Sequence, residues 1–232
     1  MSDGFGLPIQ APSVHTELAD PLLVAELDGA IVGTAAAAGF GATGWLGGIA
    51  VAPSARGRGL GGALTRAALE ALGKRSTILL LASPLGRPIY ERLGFVPDGE
   101  YRVFMSDTQG VPSGRLTVPE RAMALEVDRR VTFEDRSAAV KLCRYVAVGD
   151  AVAMLPPWPA LPIVGAPDDA EVLLRELVEP GLRLAAPAAN ERAVAVLAEL
   201  GTEREGVVRM RLGPPVDWRP TEVWGVFSLF FG

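Results

Sequence analysis

Over residues 22–39, "LLVAELDGAIVGTAAAAG" sets two β-rich runs about Asp28-Gly29, a dipeptide suited to the positive φ angles of a two-residue hairpin turn. "GWLGGIAVAP" predicts a third strand, ended by Pro53. From Leu60 the period becomes helical: Leu60, Leu64, Ala67, Ala68, Ala71 and Leu72 fall on one stripe, with Gly73 as a C-terminal stop. "STILLLAS" is a continuous apolar run, as expected of a strand covered on both faces. "PLGRPIYERLGF" predicts a short helix with Ile89 and Leu93 on one face and Gly94 at its end, and "EYRVFMSD" another strand. Three strands, helix, strand, helix, strand is an α/β layer order.

"TQGVPSGR" interrupts this periodicity with glycine, proline and serine and reads as a linker, placed at 108–118. Beyond it, "PERAMALEVDRRVTFEDRSAAVKLC" is helical with a break near Thr132, and "RYVAVGDAVAMLPP" repeats the hairpin pattern around Gly149-Asp150. "DDAEVLLRELV" predicts a helix, "GLRLAAPA" a strand, "NERAVAVLAELG" a helix capped by Asn190, and "VVRMRLG" a strand. "YERLGFVPDGEYRVF" and "LAELGTEREGVVRMRLG" share helix, Leu-Gly, charged turn and strand, so the second half reads as a diverged copy of the first. The expectation is a leader over 1–20, a first domain over 21–107 and a second over 119–232.

Composition removes several classes of function. One histidine, His15, and one cysteine, Cys143, exclude a His-based triad, a multi-histidine zinc site and an internal disulfide framework, and no metal is expected. A formal charge of −5 argues against nucleic acid or an anionic membrane as the main partner. Residues 29–55 carry no charge, yet seven glycines and two threonines dilute the stretch too far for a membrane span. "VWGVFSLFFG" is too short to span a bilayer, and no basic-then-apolar signal opens the chain, so a soluble cytoplasmic protein is expected.

Between the third strand and the first helix stands Arg56-Gly57-Arg58-Gly59-Leu60-Gly61-Gly62. Its glycines permit positive φ and close backbone approach, and its N–H groups join the positive end of a helix, as a diphosphate cradle requires. Gly57, Gly59 and Gly62 also fit the dinucleotide pattern G-x-G-x-x-G, which needs an acidic residue about 20 positions on. Ala82-Ser83-Pro84 stands there instead, and no Gly-Lys-Ser/Thr follows to make a P-loop.

Val51 to Gly61, with Arg56-x-x-Gly59-x-Gly61, resembles the acetyl-CoA loop of the GNAT superfamily of N-acetyltransferases, and "GRPIYERLGF" resembles the helix and strand that close that site. The second half is similar to the degenerate domain of tandem GNAT proteins. The resemblance implies an α/β (α+β) fold class with two GNAT-like domains, each a mixed, mostly antiparallel sheet flanked by helices. The first would lack the usual N-terminal strand and helices, whose place at the acceptor pocket the second domain, the leader or a partner chain would take.

It further implies acetyl transfer to a primary amine on a small molecule, amino acid or peptide, with no metal. The alternative is an acetyl-CoA-binding or interaction protein without catalysis. Backbone N–H groups from Arg56, Gly57, Arg58, Gly59, Leu60 and Gly61, with Gly62 beside them, would hold the pyrophosphate. Val51 and Ala52 would pair with the pantetheine, Val51 N–H would polarise the thioester carbonyl, and Ser83 stands where an asparagine often touches the cofactor. Tyr90 takes the proton-donor position. Glu26 is a weak candidate base; Glu91, Arg87 and Arg92 read as a charge cluster beside the site. In the second half Asp168 and Asp169 would repel a diphosphate and Leu197 replaces the tyrosine. A homodimer stays open.

Overall fold

The computed structural model describes Leu18 and residues 20–232, so His15 and nearly all of the leader lie outside the described residues. β1 (Leu22–Leu27) and β2 (Ala30–Phe40) form the hairpin, with Asp28 and Gly29 at φ 52° and 78°. β3 (Thr43–Val51) pairs with β2, so the uncharged stretch becomes two strands rather than a span. No described helix is long and apolar enough to cross a membrane. α1 (Leu60–Leu72), β4 (Thr77–Ala82), α2 (Arg87–Arg92) and β5 (Val96–Ser106) complete the first half, and every residue of β4 is buried.

The stripe on α1 differs from its expectation. Leu64, Thr65, Ala68 and Leu72 are buried, whereas Ala67 and Ala71 are exposed. At about 100° per residue the buried face centres on Ala68 and leaves those two alanines on its flank.

α3 (Arg121–Thr132) and α4 (Ser137–Val140) are separated by Phe133 at φ 58°, the break expected near Thr132. Then β6 (Arg144–Val148), β7 (Ala151–Leu155), β8 (Ile163–Gly165), α5 (Pro167–Leu177), β9 (Arg183–Pro187), α6 (Glu191–Leu200) and β10 (Gly201–Leu212) repeat the order of the first half. β8, only three residues long, was not legible as a strand. Asn190 caps α6 by accepting the Ala193 N–H at 3.1 Å.

The strands do not divide where the linker does. The large sheet has the order β1-β2-β3-β4-β10-β5-β9, and the small one β6-β7-β8. β10 lies between β4 and β5, antiparallel to both, and β9 pairs with the outer edge of β5. The last strand of each half therefore pairs with the penultimate strand of the other. This differs from the expectation of one sheet per half: seven strands form a single sheet, and only β6-β7-β8 is separate. Two edge-compatible apolar strands can exchange partners with little change in their own patterns, so order along the chain could not reveal it. The glycine- and proline-rich connection is pinned as well: Gly110 N–H donates to Val178 O at 2.7 Å, and Thr117 and Ala147 exchange backbone bonds at 2.9 Å.

α1 and α2 cover one face of the large sheet, packing Leu64, Ala68, Leu72 and Tyr90 on Ala35, Ala37, Leu46, Leu80 and Met210. The other face carries Ala36, Phe40, Trp45, Leu79, Leu81 and Tyr101 against Val127 and Val131 of α3, Val152 and Met154 of β7, and Phe227, Leu229 and Phe231 of the C-terminal segment. A polar seam runs through that second interface. Glu134, just beyond α3, accepts Trp45 Nε1–H at 2.8 Å and lies 2.6 Å from Thr43 Oγ1. Burial pushes its carboxyl pKa up, against the pull of Arg136. Arg136 forks onto Asp128, with Nε 3.2 Å from both carboxylate oxygens, and its guanidinium lies 4.9 Å from the Phe227 ring centroid. Removing either member of such a buried pair costs about 3–5 kcal/mol, because the other is left charged and dry.

If the exchanged strand joins the halves, the chain unfolds as one unit. Gly201 opens β10 against Ser106, and a Cβ there would lie 2.3 Å from Met105 O. Gly201→Ala should therefore lower stability by about 1–3 kcal/mol in urea titration while keeping a single transition by fluorescence and circular dichroism. Two separated transitions in the unsubstituted protein would contradict the shared sheet.

Candidate active site

β3 and β4 run parallel but pair only over Thr43–Trp45 and Thr77–Leu79, and beyond those residues they diverge. β10 holds the other edge of β4 as far as Ala82. β3 carries a bulge: Gly47 faces Ala36 and Ala50 faces Thr34, so three steps on β3 match two on β2. Gly48 sits at φ 59°, and Thr34 Oγ1 donates to its carbonyl at 2.8 Å. An extra residue of this kind bends its strand and breaks the local ladder. The divergence opens a cleft of about 1180 Å³ that reaches both faces of the sheet. Gly57, Gly59, Leu60, Gly61, Gly62, Arg66, Ile89 and Tyr90 line it on the helical side; Leu81, Leu229 and Phe230 line it on the other.

The glycine loop stands at the mouth of this cleft. Pro53–Ala55 form a 3₁₀ turn that consumes the Arg56 N–H, which donates to Pro53 O at 3.3 Å. Gly57 and Gly59 both take φ 77°, a conformation costly for residues with a Cβ, and a Cβ built on either meets nothing within 4 Å. The space before them is open. Gly59 caps α1 without a side-chain bond, so the N–H groups of Leu60, Gly61 and Gly62 have no partner within the helix. They and the helix dipole present a site for an anion. Arg56 Nε–H donates to Val51 O at 3.2 Å. Arg56, Arg66 and Arg92 line the cleft, whereas Arg58 is exposed outside the lining.

The structure narrows the expected backbone set. Ala52 N–H donates to Val32 O at 2.7 Å and Ala52 O accepts from Ala55 N–H at 2.9 Å, so neither group is available to a ligand. Arg56 N–H is spent likewise. Successive strand residues direct their N–H groups to opposite edges, so with Ala52 bonded to β2, Val51 N–H points to the edge that faces the cleft.

Tyr90 lies beside Ser83 and Gly86: a Cβ on Gly86 would be 3.5 Å from both the Tyr90 hydroxyl and Ser83 Oγ. Its ring meets Phe95 edge-on at 6.1 Å. Burial pushes its pKa up to about 12. Ser83 accepts the Gly86 N–H at 3.3 Å, which shapes the turn into α2, and it also lines the cleft. Arg87 and Glu91 pair at 2.7 Å on the exposed side of α2, as the charge-cluster reading expects, while Arg92 reaches the lining. Glu26 does not join the site. It is exposed on β1, an edge strand, and is absent from the cleft wall because the bulge and the splay lie two strands away.

Leu229 and Phe230 were not legible as site residues. They come from a segment whose only sequence signal is its apolarity, and they reach the site because β3 has glycine where they pack. A Cβ on Gly47 would lie 2.3 Å from Phe230 O.

Residues 19–97 match the family model of the acetyltransferase (GNAT) domain. The match marks the first half of the chain as similar to a GNAT domain. The matched segment spans β1 to the start of β5, and so contains the glycine loop, both walls of the splay and Tyr90. Similar solved structures support the fold over most of the chain. A "putative acetyltransferase" from Pyrococcus horikoshii superposes with a TM-score of 0.81 at 21% identity, covering 91% of this chain and 80% of its own. One of the same description from Thermoplasma acidophilum gives 0.52 at 16% identity, covering 83% and 78%. A GCN5-related N-acetyltransferase from Sphaerobacter thermophilus gives 0.52 at 15% identity, covering 82% and 80%. No curated protein matches the sequence. The glycine loop and Tyr90 both line the cleft, and the lining continues to Leu229 and Phe230 of the second half.

The phenol of Tyr90 supplies a direct check on this environment. With its pKa raised to about 12 it should stay protonated where an ordinary tyrosine, at about 10, has ionised. The near-ultraviolet phenolate signal of the unsubstituted protein and of Tyr90→Phe should therefore coincide at a pH near 11 and separate only as pH approaches 12. A difference that develops around pH 10 would show an exposed phenol instead.

Proposed function

We propose that this protein is an acetyl-CoA-dependent N-acetyltransferase that acylates a primary amine of a small molecule or peptide. The observation that carries the reading is the open glycine turn at the N-terminus of α1, set at the mouth of the β3–β4 splay. Acetyl-CoA is the substrate that suits it: a diphosphate for the N–H groups of Gly57 to Gly62, and an extended arm for the free edge of β3. Arg56 and Arg66 add charge to the same end.

An amine attacks a thioester only when neutral, and the carbonyl oxygen then gains negative charge as the C–S bond breaks. Val51 N–H, on the cleft edge of β3, is the donor for that oxygen. The amine nitrogen forms the new C–N bond and loses its proton to water, and the departing thiolate takes a proton. A phenol at about 12 against a thiol at ~8.5 makes complete transfer from Tyr90 uphill by about 5 kcal/mol. Tyr90 therefore acts by donating a hydrogen bond to the developing thiolate, with solvent replacing the proton. Arginines in the lining favour the neutral amine, since a nearby like charge lowers an ammonium pKa.

The second half is, on this reading, a degenerate copy that no longer binds acetyl-CoA. Its repeated element order and exchanged last strand support common descent of the halves. At the turn that would answer the glycine loop, Asp169 is tied to Arg115 and to Asp150 N–H, and Asp168 to Arg192. A second reading, acetyl-CoA binding without transfer, draws on the charged side chains of the described lining, which are all arginines and offer no base.

Calorimetry with acetyl-CoA and single-turnover transfer to a panel of amines separate the two readings. Gly59→Asp should weaken binding about a hundredfold or more, because a carboxylate ~4 Å from a diphosphate at an effective dielectric near 20 repels it by about 4 kcal/mol. Its thermal midpoint should fall by only a few degrees, because the φ of 77° strains a residue with a Cβ while that Cβ meets no neighbour. Tyr90→Phe should leave binding intact and slow transfer by about tenfold to a hundredfold. Unchanged affinity in Gly59→Asp would remove the cradle assignment, and an unchanged rate in Tyr90→Phe the role of the phenol.

A further inference from the structure

The cleft does not stop at the sheet. Opposite the glycine loop it is closed by Leu229 and Phe230, which turn back onto β3 where Gly47 leaves room for them. This turn is built rather than draped. Ser228 Oγ accepts the N–H groups of Phe230 and Phe231 at 3.0 and 3.2 Å, and Phe227 N–H donates to Gly232 O at 3.1 Å. The second half anchors it: Trp158 Nε1–H donates to Phe227 O at 2.9 Å, and Trp224 N–H to Ile163 O at 2.8 Å. Leu229 is 6% exposed and Phe231 fully buried, whereas Phe230 keeps part of its surface towards the cleft.

We infer that the Leu229–Phe230 turn is the acceptor wall and selects a primary amine carried on an apolar body, aromatic or branched alkyl, over a polycation. The inference rests on the acetyl-transfer reading, which assigns the helical side of the cleft to acetyl-CoA and leaves the opposite side to the acceptor. Leu81 and Leu229 form an apolar floor beside the Phe230 ring, a surface that gains nothing from a second ammonium group. The described lining holds no carboxylate that could pair with a second ammonium group. The wall packs on β3 at Gly47, where the bulge begins, and Val51 at the end of the same strand lines the same cleft. Phe230 is thus a specificity-determining residue donated by the second half to the site of the first.

Calorimetric titration of the CoA-loaded protein with 2-phenylethylamine and with spermidine reads the wall without requiring turnover. The aromatic amine should bind about tenfold or more tightly than spermidine, and Phe230→Glu should abolish that preference while CoA affinity stays within about twofold. Phe230→Leu keeps the wall apolar with less area. If the charged variant does not fold, Phe230→Leu decides the matter by weakening 2-phenylethylamine about threefold without altering CoA affinity. Spermidine binding as tightly as 2-phenylethylamine, neither amine binding, or a preference indifferent to the Phe230 variants would overturn the inference. Selective binding without acetyl transfer would leave the wall standing and remove the catalytic reading. Failure to bind CoA at all would remove both.

Discussion

β10 is held on both edges at once. Residues 208–211 pair with β4 on one side and lie along β5 on the other, and through them a strand made after residue 200 completes a sheet begun at residue 22. The cleft depends on this. β4 contributes only three residues to its pairing with β3, so its position must come from elsewhere, and β10 supplies it up to Ala82. With β4 fixed on that side, β3 can bulge and diverge without unravelling the sheet, and the edge groups freed by the divergence face the cleft rather than a neighbouring strand.

The two halves divide the labour unequally. The first carries the loop of glycines at positive φ with empty space before them. The second has the same strand–turn–helix order at β8 and α5, but there the turn is closed: a Cβ on Gly165 would lie 2.3 Å from Asp150 O, and the acidic start of the helix is satisfied by Arg115 and Arg192. The turn there is filled by its own backbone and followed by two carboxylates rather than by open glycines. The second half contributes a strand to the shared sheet and residues to the lining of the cleft.

That wall is held by groups that are expensive to leave unpaired. Glu134, Arg136 and Asp128 are each about 5% exposed or less, and they meet Trp45 from the sheet and Phe227 from the C-terminal segment. Apolar packing alone would let the segment slide along the sheet. A buried carboxylate that must receive the Trp45 N–H, and a guanidinium that must lie over Phe227, fix its position. The same seam explains why Trp45 is packed so closely that a Cβ on Gly232 would be 2.5 Å from its ring.

Much of the local structure was written in local chemistry. Asp28-Gly29 needs positive φ and made a hairpin; the period of Leu64, Ala68 and Leu72 made a helix; the glycines between Arg56 and Gly62 made an open turn into a helix N-terminus, because only glycine takes those φ values cheaply and each requirement spans a few neighbouring residues. Tyr90, singled out through the resemblance of "GRPIYERLGF", lines the cleft. The tertiary structure alone decided which strand lies beside β4, that Ala52 and Arg56 spend their N–H groups internally, that Glu26 stands apart from the site, and that Leu229 and Phe230 belong to it. The place of β10 and the reach of Leu229 and Phe230 depend on contacts between residues more than a hundred positions apart, where β5 and β10 present similar apolar patterns and only the packing of the whole chain chooses between them.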